Sequence, residues 1–338
     1  RRSQQRRMSQ LRRNKKSGRG PGVGGRTELE KENRRPPTPD SRPLILSPST
    51  LRRIPLPQPD DEGDKEERGR VLVIGGAPEM PGAVILAATA ALRAGAGKLQ
   101  IATTKGIAQL VAVEVPEARV FALPETKSGA VALSAVDELS ARAEEVQAIV
   151  VGPGMIDEPA VTRLMKSLLP RLKRPCVVLD AAALACLAED GKLLHALKGR
   201  AIITPHAGEM ASILGEEKEN IANDQLNTAR RAASELRTVV ALKGRETYIA
   251  APSGETYCNR AGNVGLATSG SGDTLSGLIA GLAARGAEPL HAAAWGVHLH
   301  ARAGDKLARR TGRLGFLARE LLAEVPALMA ELSKPKRK

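Results

Sequence analysis

The sequence predicts an α/β sandwich in which a mostly parallel central sheet is flanked by helices. Two observations carry that prediction. Short runs of four to six β-branched and apolar residues recur without alternation, as strands do when both sheet faces are buried. Between them lie Ala/Leu-rich stretches of about 8–15 residues, long enough for a helix that returns the chain to start a parallel neighbour. At 338 residues and 42% hydrophobic composition, one large core is within reach.

The elements follow in order. Residues 1–43 are rich in Arg, Gly, Pro and Ser and lack hydrophobic periodicity, which predicts a basic, disordered arm. One folded domain is expected over 44–333, then a basic tail at 334–338. A short helix near Thr50 and a charged connector over 60–69 lead in. Strands at 71–74, 98–102, 148–151, 176–180 and 201–204 are each followed by a helix, at 82–94, 107–113, 159–169, 182–188 and 207–214. Segments 238–242, 247–250 and 255–257, separated by Gly, Pro and Ser turns, predict short antiparallel edge strands. The last 65 residues read as helices.

Composition excludes several classes of function. Net charge is +14, but ten Lys and Arg residues and no acid lie in residues 1–26, so the basicity belongs mainly to the arm. Five aromatic residues in the whole chain are too few for a base-stacking platform. Cys176, Cys186 and Cys258 lie far apart, without zinc-ligand or disulfide-framework spacing, which suits a reducing, cytoplasmic setting. No run approaches 18 apolar residues, so no membrane span is expected.

The chemistry concentrates at strand ends. In a parallel sheet the loops at the C-terminal strand ends form the ligand crevice. Gly75-Gly76 with Pro81-Gly82-Ala83, Gly152-Pro153-Gly154, Asp180, Thr204-Pro205-His206 with Glu209, and Lys243 to Thr247 all fall there. The run from Gly265 to Gly277 places Asp273 in the first turn of a helix among glycines, where unpaired N–H groups hold an anion beside a carboxylate base. A glycine-rich cap with a dipole-favoured Asp reads equally from this motif alone. His206 is read as a substrate hydrogen-bonding residue, with helix capping and metal binding as the alternatives. His298 and His300 alternate within a helix and are expected to be core or surface histidines. Ala94-Gly95-Ala96-Gly97-Lys98 ends a helix and is not a phosphate loop, and no dinucleotide fingerprint or serine-hydrolase elbow occurs.

Taken in order, these motifs resemble the ribokinase-like superfamily and, within it, the ADP/ATP-dependent NAD(P)H-hydrate dehydratases. The resemblance runs from about Leu51 to Pro326 and rests on residues 69–76, 81–83, 91–97, 151–154, 203–209, 242–247 and 262–277. The chain departs from the family pattern at Met155, Ala182 and Ser269. The resemblance implies a ribokinase-like three-layer sandwich over 44–333 that phosphorylates the ring hydroxyl of hydrated NADH or NADPH and eliminates phosphate. By the same resemblance Asp273 is the catalytic base, and Ala83, Gly154, His206 and Asp273 line the hydrated nicotinamide nucleotide. Lys243, Gly244, Arg245, Glu246, Thr247 and Gly272 hold the donor, ADP or ATP, with Mg2+. A homo-oligomer, a tetramer by resemblance, is expected. Only about 69 residues precede the first core strand, too few for a companion NAD(P)H-hydrate epimerase domain, so that partner is expected on a separate chain. The alternatives are a superfamily kinase acting on a thiazole or pyrimidine alcohol, and nucleic-acid binding through the Arg-rich arm.

Overall fold

The computed structural model describes residues 42–58, 60 and 64–334. The basic arm and the terminal tail expected at 334–338 lie almost wholly outside the described residues. The elements run β1 (Leu44–Ile45), α1 (Pro48–Leu51), β2 (Arg70–Ile74), α2 (Pro81–Arg93), β3 (Lys98–Thr104), α3 (Ala108–Glu114), β4 (Ala118–Leu123) and α4 (Val136–Ala143). They continue with β5 (Ala148–Val151), α5 (Glu158–Leu168), β6 (Cys176–Leu179), α6 (Ala185–Glu189), β7 (Ala201–Ile203), α7 (Ala207–Leu214), α8 (Lys218–Asn223) and α9 (Gln225–Leu236). Then come β8 (Val239–Leu242), β9 (Thr247–Ala250), β10 (Thr256–Asn259), α10 (Ser271–Ala284), α11 (Pro289–Thr311) and α12 (Ala318–Ser333).

One sheet holds all ten strands, in the order β1-β10-β9-β8-β7-β6-β5-β2-β3-β4. Every neighbouring pair from β8 to β4 is parallel, whereas β8–β9 and β9–β10 are antiparallel and β1 joins β10 in parallel. The uniformly apolar strands serve two cores at once. Val71 and Val73 face the layer of α2, α10, α11 and α12, while Leu72 and Ile74 face that of α4, α5, α6 and α9. This is the expected three-layer sandwich.

Two expectations need correction, and one strand is additional to those expected. Residues 238–242 do not form an edge: β8 is fully buried between parallel β7 and antiparallel β9, and the outermost strand is β1, with Leu44 and Ile45 exposed. The opposite edge, β4, escaped notice because its burial alternates at the sheet rim and so breaks the uniform apolar run. The helix expected at 182–188 is a 3-10 turn over Ala181–Leu184 followed by short α6, since Ala181 takes a left-handed φ of 48° to turn the chain away from Asp180.

Helix α10 reaches the rim because it packs unusually close on α2. A Cβ at Gly277 would stand 2.1 Å from Ala87 O, and one at Gly281 would stand 2.4 Å from Ala91 O. Both positions therefore require glycine. The pairs 87/277 and 91/281 advance together, so the helices are parallel, and the same register one turn back sets Ala83 level with Asp273.

Candidate active site

The sheet order places β8, β7, β6, β5 and β2 side by side, so the loops leaving their C-terminal ends form one continuous rim. These loops are tied to one another. Gly76 N–H donates to Pro153 O at 2.8 Å, and Lys243 N–H donates to Pro205 O at 2.8 Å. Gly154, at φ +68°, leaves no room for a side chain: a Cβ there would lie 2.8 Å from the Ala83 Cβ and 2.6 Å from Met80 O. The structure thus brings Ala83, Gly154 and the start of α10 to one end of the molecule.

Helix α10 begins at Gly270, whose left-handed backbone offers no side-chain cap. Ser271 N–H donates to Thr268 O at 3.2 Å, and the N–H groups of the next residues have no intrahelical acceptor, as at any helix start. Ser271, its first residue, is held from behind by a 3.0 Å hydrogen bond between its Oγ and His300 Nε2 of α11. Burial pushes the His300 imidazole down to about 4 and that of His298, which pairs with Asn259 Oδ1, also to about 4, so both are neutral in the core. Asp273 is half-buried in the same first turn. Burial, and then the nearby Asp180 carboxylate, push its carboxyl up to about 6 against the opposing pull of Lys243.

Lys243 leaves the end of β8 with its side chain 22% exposed, and its Nζ lies 3.1 Å from Asp180 Oδ1 and 3.8 Å from Glu209 Oε2. Burial alone would lower its ammonium, but Asp180, Glu209 and Asp273 together hold it above the ordinary lysine value. A Cβ on Gly272 would lie 3.6 Å from Lys243 Nζ. Sequence reasoning placed Asp180 on the rim without a partner. Its contacts with Lys243 and Thr204, and the bond from His300 to Ser271, span 63, 24 and 29 residues, beyond any local motif.

His206 caps α7. Its Nδ1 accepts from Glu209 N–H at 3.0 Å while its own N–H donates to Glu209 Oε2 at 2.7 Å. With Nδ1 accepting, the neutral ring carries its proton on Nε2, and the half-exposed imidazole keeps that donor at the rim. Capping and a substrate contact are therefore compatible. Gly244 and Arg245 are exposed and Thr247 opens β9, while Glu246 accepts from Tyr248 Oη at 2.7 Å and Arg260 Nε at 2.9 Å. A cleft of about 620 Å³ opens beside the rim, lined by His206, Glu209, Ala181 and Ala182 and by residues of α5 and α6. Of the predicted site residues, only His206 borders it. Among the described residues no three His, Cys, Asp or Glu side chains group as a metal site. The Lys243 ammonium also stands between Asp180 and Glu209, so a resident divalent cation does not fit there.

The model of the NAD(P)H-hydrate dehydratase family matches residues 71–327. The chain belongs to that family. It is 45% identical over 294 residues to the ADP-dependent (S)-NAD(P)H-hydrate dehydratase of Xanthomonas campestris, covering 87% of this chain and 98% of the relative. It is 44% identical over 282 residues to a bifunctional NAD(P)H-hydrate repair enzyme of Moorella thermoacetica, covering 83% of this chain but only 53% of that protein. The chain thus spans about half the length of the bifunctional relative. Among solved structures, the ADP/ATP-dependent NAD(P)H-hydrate dehydratase of Bacillus subtilis, co-crystallised with ATP and Mg2+, superposes with a TM-score of 0.71 at 30% identity. That match covers 86% of this chain and 98% of the other. A hydroxyethylthiazole kinase at 17% identity and TM-score 0.52 shares the fold alone. As a dehydratase-family member the chain keeps the rim loops and α10 inside the matched span, while β1 and α1 lie ahead of it.

Proposed function

We propose that this chain catalyses ADP- or ATP-dependent dehydration of hydrated NADH and NADPH, restoring NAD(P)H. The observation that carries the reading is Asp273. It is a half-buried carboxyl raised to about 6, in the first turn of a helix whose N-terminus has no side-chain cap, under the electrostatic pull of the Lys243 ammonium. A base with pKa near the working pH can take a hydroxyl proton, and oriented N–H groups and a cation stabilise a phosphoryl group in transfer. The ring hydroxyl is a poor leaving group. Once it is phosphorylated, phosphate departs, the neighbouring ring carbon loses a proton, and the double bond is restored.

In this reading Ala83, Gly154 and His206 line the hydrated ring over Asp273, with the His206 Nε2 proton as a hydrogen-bond donor. Lys243 to Thr247 and Gly272 hold the donor nucleotide. Magnesium accompanies the donor, bound by its phosphates, and supplies charge neutralisation. An NAD(P)H-hydrate epimerase as pathway partner, a homo-oligomeric and tetrameric state, and a cytoplasmic location complete the proposal. Among the described residues no helix is long and apolar enough to cross a membrane. The test is to incubate the protein with NADH hydrate, magnesium and either nucleotide while following absorbance of regenerated NADH. Nucleotide consumption without NADH release would point instead to a kinase that stops at the phosphate ester.

A further inference from the structure

Asp180 has no part in the chemistry above, yet it is a buried charge at the centre of the rim. Its side chain is 3% exposed, and Oδ1 accepts from Thr204 Oγ1 at 2.8 Å and from Lys243 Nζ at 3.1 Å. The other oxygen, Oδ2, would lie 3.7 Å from a Cβ on Gly272. A buried ion pair adds little stability over apolar residues of similar size, and a carboxylate beside an anion site opposes phosphate. Stability alone therefore gives a poor reason for this residue at this place.

We propose that Asp180 is a positioning residue for phosphoryl transfer: clamped by Thr204, it holds the Lys243 ammonium at the first turn of α10, facing the phosphoryl group as it moves. The inference rests on the functional reading above. In that step the ring hydroxyl oxygen bonds to phosphorus as the bond from phosphorus to the donor's bridging oxygen breaks. The hydroxyl proton passes to Asp273, and the electron pair of the broken bond leaves with the nucleotide. Lys243 sits where charge on the phosphoryl oxygens needs a fixed cation. Without Asp180 its flexible stem is free to turn toward Glu209, 3.8 Å away, or toward water.

Asp180 has a second effect through its charge. The charged groups that act on Asp273 are Asp180, from the end of β6, and Lys243, from the end of β8; Glu209 lies 3.8 Å from Lys243 Nζ, and the neutral His300 is hydrogen-bonded to Ser271. Neutralising Asp180 removes a like charge from Asp273, whereas neutralising Lys243 removes an opposite one. The two substitutions must therefore move the ionisation of Asp273 in opposite directions.

The experiment follows NADH release from NADH hydrate, with ADP and magnesium, across pH for wild type, Asp180→Asn, Lys243→Met, the double variant and Thr204→Val. Asp180→Asn keeps side-chain size and the bond from Thr204. It is expected to lower kcat about 10- to 100-fold with KM for the hydrate within about threefold, the loss typical of a misplaced transition-state donor. The acid limb of its profile should move below the wild-type midpoint, and that of Lys243→Met above it. In the Lys243→Met background, Asp180→Asn should cost less than about threefold more, because it acts through Lys243. Thr204→Val leaves the Asp180 charge in place, so it should lower kcat in smaller measure without moving the acid limb below the wild-type midpoint, and with the Lys243→Met shift it carries the test if Asp180→Asn does not fold. Additive losses, an acid limb unmoved by Asp180→Asn or Lys243→Met, or a raised KM at unchanged kcat each overturn the inference. A wild-type protein that releases no NADH overturns the functional reading, and this inference with it.

Discussion

Replacing Asp273 with Asn separates catalysis from stability in a way the structure makes quantitative. The carboxyl is raised from an ordinary 3.8 to about 6. That shift corresponds to about 3 kcal/mol by which the folded state disfavours the ionised form. Because the folded value lies above the unfolded one, the stabilising contribution is fully present below about pH 4 and is lost as pH rises through about 6. At pH 7 the wild-type protein carries the penalty. Attraction between the carboxylate and the α10 N-terminus returns about 0.3–1 kcal/mol of it, so Asn should stabilise the fold by about 2 kcal/mol at pH 7 and by nearly nothing at pH 4. Turnover should fall about 10² to 10⁴-fold, or about 2.7–5.5 kcal/mol of barrier, because the proton acceptor is gone. Denaturant unfolding at the two pH values and NADH release report the two effects independently. A folded Asp273→Asn protein with near wild-type turnover would refute the catalytic assignment, and one less stable at pH 7 than wild type would refute the electrostatic argument.

Four further changes to the chain follow from the geometry. His206→Ala should raise KM for the hydrate more than it lowers kcat and cost about 1 kcal/mol of stability through the lost cap; His206→Asn, a good cap, should recover the stability but not the affinity, as unfolding and steady-state kinetics will show. Gly281→Val places a side chain where a Cβ already stands 2.4 Å from Ala91 O, so α10 must move off α2, and a loss of about 1–3 kcal/mol or more is expected in denaturant unfolding. Removal of residues 1–43 leaves β1 and every rim loop in place, so NADH release should stay within about tenfold, or about 1.4 kcal/mol, of the full chain.

What the sequence made legible was local. Uniform apolar runs announced the central strands, and a glycine-rich segment with one acid announced the start of α10, because both signals fit within a dozen residues. The edges were less legible: β4 alternates in burial and β1 is two residues long, so neither resembles a doubly covered strand. His298 and His300, expected as core or surface histidines, are both buried. One meets Asn259 at the end of β10 and the other meets Ser271 of α10, but which partner each would find depends on how α11 is laid against both. The same limit governs the site's electrostatics. Asp180 and Lys243 lie 63 residues apart and become neighbours only because β6, β7 and β8 are consecutive in the sheet. No pattern of spacing encodes that order. The carboxylate proposed to take the proton can thus be found from its motif, but the shift of its pKa is a tertiary property, set by which strand ends the fold places around it.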